Sequence, residues 1–483
     1  MKYIKISIVI LLVSFISIFA YKLTTNNSSN KLSLTKEQMK EMISYTIDGN
    51  STSSMPTKGS GYKVKSITCK SGSILTWDND NWLLEVEKLE SEDLCNIDFT
   101  TGTGSYTVTA VPSIAGSLDS TSKTTTENGQ VTFFTNAIID SVSGCTNEIS
   151  DGKVIVKNVT SNTTCNINVS YMKLYDKLLA DKSTRLTRTD FSTVLTTDNT
   201  NTLYTSTEDS KTVYYFAGNA TDNWVQFGGY YWRIIRTNSD GGVRLLYHGT
   251  STTAENAYIG ESAFNNSYNN IAYVSYMYGS TGSIANARTN QTNSSTIKTA
   301  IDNWYKDNLN TNYGKYLSTT AVYCNDRTYT VSGSFTYFGA NTRLETNKTP
   351  SYDCAATEDK FTADTSTGNG KLTYPIALMT ADEVSFAGGL WGTNAQTWYY
   401  NSAKGSSTGE QWWWLLSPAT GNGSYAYVFF VVGSSYPGFL SSTYVSHTYG
   451  VRPAVSLKSC VKTSGGDGSA SAPYTIEEST SGC

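Results

Sequence analysis

The chain has 483 residues, a formal net charge of −4 at pH 7 and 16% charged residues, and it contains 34 tyrosines. The charged fraction is well below that of average globular domains, so Ser, Thr, Asn and Gly occupy most polar positions, as is typical of β-rich surface proteins. No basic stripe accompanies this acidic balance, which argues against nucleic acid as a partner.

The N-terminus resembles an export signal. Two lysines precede the apolar run Ile6–Ala20, which is the order of charged and hydrophobic segments in a signal peptide. Ile18 stands where a cleavage site usually has a smaller residue, so for residues 1–23 we favour an N-terminal membrane anchor over a cleaved signal peptide. We expect the remainder to be extracellular, at the cell surface or secreted, with the membrane as a partner only through this segment and only if it is uncleaved.

The cysteines predict structural disulfides, because their number is even and the chain is exported. Their spacing favours sequence neighbours as partners: Cys69 with Cys95, Cys145 with Cys165, Cys324 with Cys354, and Cys460 with Cys483. The spacing contains neither a CxxC pair nor a His-rich pattern, so we expect no metal and no cofactor.

Residues 24–59 are predicted to form a polar linker and a short stalk helix. The helix is expected over Thr35–Asp48, where Thr35 and Gln38 have capping-box spacing.

A longer stretch then repeats itself. VKSITC at 64–69 matches IIDSVSGC at 138–145, and LEVEKLESEDLCNIDF at 84–99 matches VIVKNVTSNTTCNINV at 154–169. Apolar residues alternate in these segments as they do in half-buried strands. The repeat therefore predicts small β modules that each carry two cysteines.

These motifs, together with YTVT and ENGQVTFF, resemble the divergent internalin B-repeat modules of bacterial surface proteins. The resemblance implies β spacers or adhesive repeats, a partial one at 60–101 and a complete one at 102–172. Residues 173–212 are then expected to form a linker, which begins with a segment of helical period.

The terminal domain is predicted at 213–460. Two apolar strands flank Asp240 and Gly241, a dipeptide typical of tight hairpins. Apolar periodicity predicts one helix over Ser295–Leu309, and a capping-box pattern predicts another over Ala381–Ala387.

The order of several motifs in this domain resembles the DUF6273 family: YYWRIIR, PIALMTADEV, WWLLSP, YVFFVVG and GVRPAVSL. That family looks related to proteins with the C-type-lectin-like fold of formylglycine-generating proteins. The name DUF6273 assigns no activity. The resemblance implies a multidomain chain, with small all-β repeat modules followed by an α+β C-type-lectin-like domain. Residues 461–483 are expected to be a C-terminal tail tied by a disulfide.

The candidate ligand-binding residues are aromatic: Trp391, Trp398, Tyr399, Tyr400, Trp412 and Trp414. Tryptophan and tyrosine faces can pack against sugars. Core packing is the favoured interpretation of the triplet at 412–414, whereas the loop at 391–400 is equally compatible with exposure.

No catalytic residue is predicted, and we expect no enzyme. His248 and His447 are expected at exposed strand ends, outside any Ser-His-Asp, HExxH or SxxK pattern. Asp382 and Glu383 are explained by capping of their predicted helix. Arg452 is expected to be buried and paired with a carboxylate. Neither a reactive cysteine pair nor the tripeptides of calcium lectins occur in the terminal domain.

The leading hypothesis is a bacterial surface binding or adhesion protein whose lectin-like head recognises a glycan or a host protein. Fold analogy alone supports the choice of ligand. The alternatives are a structural or pilus-like surface component and an extracellular glycan-modifying enzyme.

Overall fold

The computed structural model describes residues 5–9, 20–24, 42–78, 81–90, 92–102, 104–253, 257–395, 412–433, 436, 438–479 and 482–483. The chain divides into two compact units, Met1–Ser170 and Tyr171–Cys483. Both consist mainly of strands arranged in several small sheets. The prediction of a β-rich chain with more than one domain is therefore confirmed.

The strands of the first unit are β1 (Lys5–Val9), β2 (Ala20–Thr24), β3 (Ile43–Ile47), β4 (Asn50–Thr52), β5 (Tyr62–Cys69), β6 (Ile74–Asp78), β7 (Leu83–Lys88), β8 (Cys95–Thr101), β9 (Ser105–Pro112), β10 (Ser122–Thr126), β11 (Gly129–Phe134), β12 (Ile138–Ser143), β13 (Asn147–Ser150), β14 (Lys153–Val159) and β15 (Thr163–Ser170).

Two four-stranded sheets of this unit share one topology, β4-β3-β8-β5 and β10-β9-β15-β12. In each sheet the two central strands are parallel and both outer strands pair antiparallel to them. The sequence repeats fall on corresponding strands, β5 with β12 and β8 with β15. The first module is therefore more complete than predicted, since β3 and β4 are the counterparts of β9 and β10.

The stalk helix predicted over Thr35–Asp48 is wrong for the part that the structure describes, because Ile43–Ile47 is strand β3. Ile43, Tyr45 and Ile47 alternate along this strand and pack against the core of the first module. Aromatic and β-branched residues favour strands, and parallel pairing with β8 satisfies the backbone. Residues 25–41 lie outside the described residues.

The N-terminal segment is described only in part. Lys5–Val9 and Ala20–Thr24 form an antiparallel pair, and the middle of the predicted signal or anchor lies outside the described residues. Within the ranges that the structure covers, no helix is both long enough and apolar enough to cross a membrane.

The strands of the second unit are β16 (Thr184–Thr187), β17 (Asp198–Asn199), β18 (Thr202–Glu208), β19 (Lys211–Tyr215), β20 (Asn219–Ala220), β21 (Trp224–Phe227), β22 (Tyr230–Thr237), β23 (Val243–Gly249), β24 (Glu261–Ala263), β25 (Met277–Tyr278), β26 (Asn293–Ser294), β27 (Tyr323–Cys324), β28 (Tyr329–Ser332), β29 (Phe335–Phe338), β30 (Lys360–Phe361), β31 (Ile376–Leu378), β32 (Trp413–Gly421), β33 (Ala426–Val431), β34 (Leu440–Tyr444), β35 (Thr448–Gly450), β36 (Pro453–Leu457), β37 (Thr463–Gly465) and β38 (Tyr474–Ile476).

Its α-helices are α1 (Leu174–Asp181), α2 (Ile284–Arg288), α3 (Thr296–Asn308), α4 (Asn310–Tyr313), α5 (Gly339–Asn341) and α6 (Ala381–Ala387). Short turns of 3₁₀ or π-helix lie at Ile271–Val274, Gly314–Tyr316, Thr342–Asn347 and Thr357–Asp359.

A ten-stranded sheet organises the core of this unit around the hairpin β22–β23. The hairpin turns at the predicted dipeptide, where Gly241 adopts φ of 81°, a value that favours glycine. Trp232 and Leu245 are fully buried on these strands. The two predicted helices are confirmed as α3 and α6, the second with a complete capping box at Thr380.

The prediction of a linker at 173–212 is wrong. Leu174 and Leu178 of α1 are buried in the main core, and β16, β18 and β19 belong to the ten-stranded sheet. The expectation of a tail at 461–483 is likewise wrong for the part that forms β37 and β38, because these strands pair within this sheet and Tyr474 is buried.

A seven-stranded sheet forms the other large layer of the second unit. Its main order is β24-β35-β32-β29-β28, with β33 paired to β32 and β34 paired to β33. Helix α3 begins shortly after β26 and packs against β24 and β31. The surface between α3, β24 and the loop after β24 contains the candidate site.

Candidate binding groove and aromatic strip

An open groove of about 590 Å³ lies beside helix α3. One wall is the outer face of α3, which contributes Thr296, Thr299, Ala300 and Asn303. These residues recur at three- and four-residue intervals and so share a face, while Ile297, Ile301 and Tyr305 on the opposite face are buried. The amphipathic period of α3 thus places hydroxyl and amide groups along the groove.

The other walls come from β24 and the loop that follows it, and from the short strands β25 and β26. Ser262, Asn265, Asn266 and Ser267 line one side, and Tyr273, Tyr278 and Ser294 close the groove. The rings of Tyr273 and Tyr278 meet edge to face with centroids 5.6 Å apart. All of the side chains that line the groove are uncharged at neutral pH. The volume of the groove is within the usual range of small-ligand sites.

Two asparagines leave their amides available to a ligand. Asn266 and Asn303 are exposed in the groove, and no side-chain hydrogen bond engages them within the described part of the chain. Each amide offers two donors and an acceptor, which match the hydroxyl groups of a sugar. Asn265 differs, since its amide donates to the carbonyl of Tyr273 and holds the loop in place.

A row of aromatic rings lies next to the groove, and we call it the aromatic strip: Tyr268, Tyr444, Tyr427, Tyr425 and Phe335. Successive centroids are 4.8 Å apart from Tyr268 to Tyr444, 6.0 Å from Tyr444 to Tyr425 and 6.5 Å from Tyr425 to Phe335. Tyr427 packs 4.5 Å from Tyr444, directly across from it on the neighbouring strand. No sequence pattern indicates the strip, because its residues come from four separate segments of the chain.

The strip is uncharged and accessible. Tyr268 and Phe335 at its two ends are 44% and 40% exposed, and the rings between them are half-buried. Burial, followed by interaction with Tyr444, raises the pKa of Tyr427 to about 12. The strip therefore presents neutral aromatic surface at physiological pH.

The predicted aromatic residues are not gathered in one site. Trp391 is half-buried and packs edge-on against Phe429, which shares a sheet face with Tyr427 because the two are two residues apart in β33. Trp412 stacks on Phe430 of the opposite face, with centroids 5.3 Å apart. Trp398, Tyr399 and Tyr400 lie outside the described residues.

Trp413 and Trp414 are core residues. Both are fully buried. The indole of Trp414 donates to the carbonyl of Ser262, and Arg452 stacks on the ring of Trp413. The prediction of Trp414 as a ligand-binding residue conflicts with this burial, whereas the core-packing interpretation of this residue agrees with it.

A second cavity, of about 20 Å³, lies next to the Cys324–Cys354 disulfide and has room for roughly one water molecule. Three of its four carboxylates, Asp326, Asp382 and Glu383, accept from arginines, and the fourth, Asp353, accepts from the backbone of Asp209 at 2.7 Å. Arg343 donates to both oxygens of Asp382 at 2.9 Å and to Asp326 at 2.7 Å. The cavity is thus a structural ion-pair network rather than a cleft that could admit substrate.

Glu383 is the centre of this network. One of its oxygens accepts from Arg236 at 2.9 Å and from Arg244 at 2.7 Å, and the other accepts from the backbone of Thr380. Burial favours its neutral form, but the two guanidinium groups hold the pKa of Glu383 below its usual value. A carboxylate fixed in this way has no free proton for general acid catalysis.

The histidines differ in exposure. His447 is exposed as expected, and its Nδ1 lies 2.9 Å from the hydroxyl of Thr443. The expectation for His248 is wrong, since it is buried against Trp224 with centroids 4.4 Å apart. Burial and the nearby Arg233 and Arg452 hold the pKa of His248 well below its usual value.

All four predicted disulfides are confirmed: Cys69–Cys95, Cys145–Cys165, Cys324–Cys354 and Cys460–Cys483. Asp93 lies near the first of them, but these sulfurs are covalently paired. Asp93 itself accepts hydrogen bonds from the backbone of Ser71 and Ser73. This grouping is therefore explained as a turn rather than as a metal centre.

Comparison with known proteins gives a family match. Residues 351–459 match the DUF6273 family, described as a domain of unknown function. No curated protein and no solved structure matches the chain. The matched range is shorter than the terminal domain predicted at 213–460. It includes Tyr425, Tyr427 and Tyr444 of the strip but none of the residues that line the groove. Over residues 351–459, this chain is therefore similar to the DUF6273 family, to which no function is assigned.

Proposed function

We propose that the chain is a bacterial cell-surface binding protein and that its C-terminal unit recognises extracellular glycan in the groove. The observation that carries this proposal is the composition of the groove, which combines hydroxyl and amide side chains with the Tyr273–Tyr278 pair and contains no charged group. Sugars present hydroxyl edges and apolar C–H faces, so this lining complements both.

The rest of the chain is consistent with a surface location. Four disulfides are typical of extracellular proteins. The two β modules of the first unit share one topology, which supports their interpretation as internalin B-like spacers that extend the C-terminal unit from the cell. We further propose that the C-terminal unit has a C-type-lectin-like fold.

A glycan and mucin array tests the proposed function. The full chain, purified in mild detergent with its disulfides formed, would be applied with and without a chelator. We expect binding to defined sugars that the chelator does not reduce, because the groove offers no cluster of carboxylates for calcium. A blank on every sugar would remove glycan recognition and leave a host protein as the candidate ligand.

A role in assembly is the second candidate, because strand β28 ends the seven-stranded sheet and exposes apolar side chains. Tyr329 is 47% and Val331 is 63% exposed. Uncharged edge strands can pair with another chain. Sedimentation velocity of the full chain and of Val331→Lys tests this role, which predicts oligomers that the substitution disperses.

A further inference from the structure

We infer that the ligand is an extended, uncharged glycan of several sugar units, which begins in the groove and continues along the aromatic strip. This inference rests on the proposed function and specifies its ligand. Four observations carry it: continuity of groove and strip, the spacing of the rings, their exposure, and the absence of charge.

The groove and the strip share one segment of the chain. Asn265, Asn266 and Ser267 line the groove, and the next residue, Tyr268, is the first ring of the strip. The backbone of Asn265 donates to the carbonyl of Val445 at 2.9 Å, which fixes this segment beside the end of β34. A glycan that leaves the groove past Ser267 therefore reaches Tyr268 and then Tyr444.

The strip offers a succession of contacts rather than one. Its rings follow each other at 4.8 to 6.5 Å from Tyr268 through Tyr444 and Tyr425 to Phe335. Aromatic rings pack favourably against apolar faces, and tyrosine hydroxyls also provide polar contacts. A monosaccharide in the groove would leave the strip unused, whereas a longer glycan would add a contact with each ring that it reaches.

The electrostatics favour an uncharged glycan over an acidic one. No lysine or arginine is among the five residues of the strip or the residues that line the groove. A sialic acid or uronic acid carboxylate would lose water at this surface without gaining an opposite charge from it. A titratable side chain of another type, His447, has its ring 5.9 Å from that of Tyr444.

The test is affinity as a function of ligand length. The probes are neutral polysaccharides of the α-glucan, β-glucan, mannan, galactan and xylan classes, each with its fragments from one to six sugar units. Titration calorimetry would use the full disulfide-bonded chain, Tyr268→Ala, Phe335→Ala and Tyr329→Ala. The last is a matched control, because Tyr329 is an exposed tyrosine whose ring contacts Phe338 outside the strip. Circular dichroism would verify that each variant folds.

We expect affinity for one class to rise over several sugar units. Tyr268→Ala should lower the affinity for every fragment that extends past the groove, short or long, by about three- to tenfold. Phe335→Ala should lower the affinity for only the longest fragments. Tyr329→Ala should change neither.

Affinity that is independent of length and unaffected by the strip variants would overturn the extended-ligand inference and leave the groove as the site. Failure of every neutral probe, with binding to acidic sugars on the glycan and mucin array, would overturn the inference and leave the proposed function standing. Failure of every probe together with a blank array would overturn both. Strip variants that alter sedimentation but not glycan binding would assign the strip to self-association and also overturn the inference.

Discussion

The ring of Tyr268 lies 4.8 Å from the ring of Tyr444, and this contact links the loop after β24 to strand β34. The loop also forms one wall of the groove. The contact therefore joins two surfaces that the sequence places far apart, one rich in amides and hydroxyls and the other aromatic.

The amide of Asn303 is predicted to contact the ligand. Asn303→Ala should lower glycan affinity by about three- to tenfold, because it removes a neutral hydrogen bond without disturbing the buried face of α3. Titration calorimetry with the best sugar of the array measures the change. Asn310→Ala is the matched control, since Asn310 is exposed at the start of α4 and outside the groove. Equal affinities of wild type and Asn303→Ala would exclude this contact.

Trp414 is predicted to act on stability and not on recognition. Trp414→Ala should cost about 3–5 kcal/mol of unfolding free energy, since the indole is fully buried and hydrogen-bonded. Trp412→Ala should cost less, because that ring is half-buried. Urea unfolding followed by fluorescence measures both. A folded, fully stable Trp414→Ala variant with impaired glycan binding would restore Trp414 as a ligand contact.

Glu383 is predicted to contribute strongly to the stability of the second unit. Glu383→Gln should destabilise it by about 3–5 kcal/mol, because Arg236 and Arg244 would remain buried without their shared carboxylate. Urea unfolding provides the measurement.

The control for Glu383 is Glu358→Gln, which removes an ion pair with Arg288 in which the glutamate side chain is 44% exposed. Exposed pairs contribute at most about 1 kcal/mol, so this variant should remain close to wild type. Similar losses for the two variants would contradict the central role of Glu383.

His248 is predicted to make the protein less stable in mild acid. Its pKa is about 6.5 when unfolded and well below that value when folded. Below pH 6.5 the unfolded chain therefore takes up a proton that the folded protein does not, and stability should fall by up to about 1.4 kcal/mol per pH unit. Above about pH 7.5 the residue is neutral in both states and contributes no pH dependence.

Urea unfolding at pH 7.5 and 5.5 measures this slope, and His248→Gln should reduce it. The carboxylate of Glu208 does not confound the window. Although burial opposes it, Arg236 lowers the pKa of Glu208 to about 2, so the stability from this pair is lost only as the pH falls from about 4.5 towards 2. An unchanged slope in His248→Gln would show that other groups dominate.

Much of the candidate site was beyond sequence analysis. The amphipathic period of α3 identified its buried face, and the opposite face became one wall of the groove. The other walls come from the irregular loop after β24 and from strands of two or three residues, which are too short to give a periodic signal. The strip joins Phe335 of β29, Tyr425 in the turn before β33, and Tyr444 of β34, and the pairing of β29 with β32 and of β33 with β34 brings their rings together.

The sequence by itself determined features that depend on short-range chemistry. The turn at Gly241, the capping box at Thr380 and the disulfides between neighbouring cysteines each involve residues close in the chain, so local propensity and spacing suffice. Only the tertiary structure decided that Ile43–Ile47 is a strand and that His248 is buried. Those outcomes depend on distant partners, because pairing with β8 satisfies the backbone of β3 and the rings and arginines packed around His248 exclude water from it.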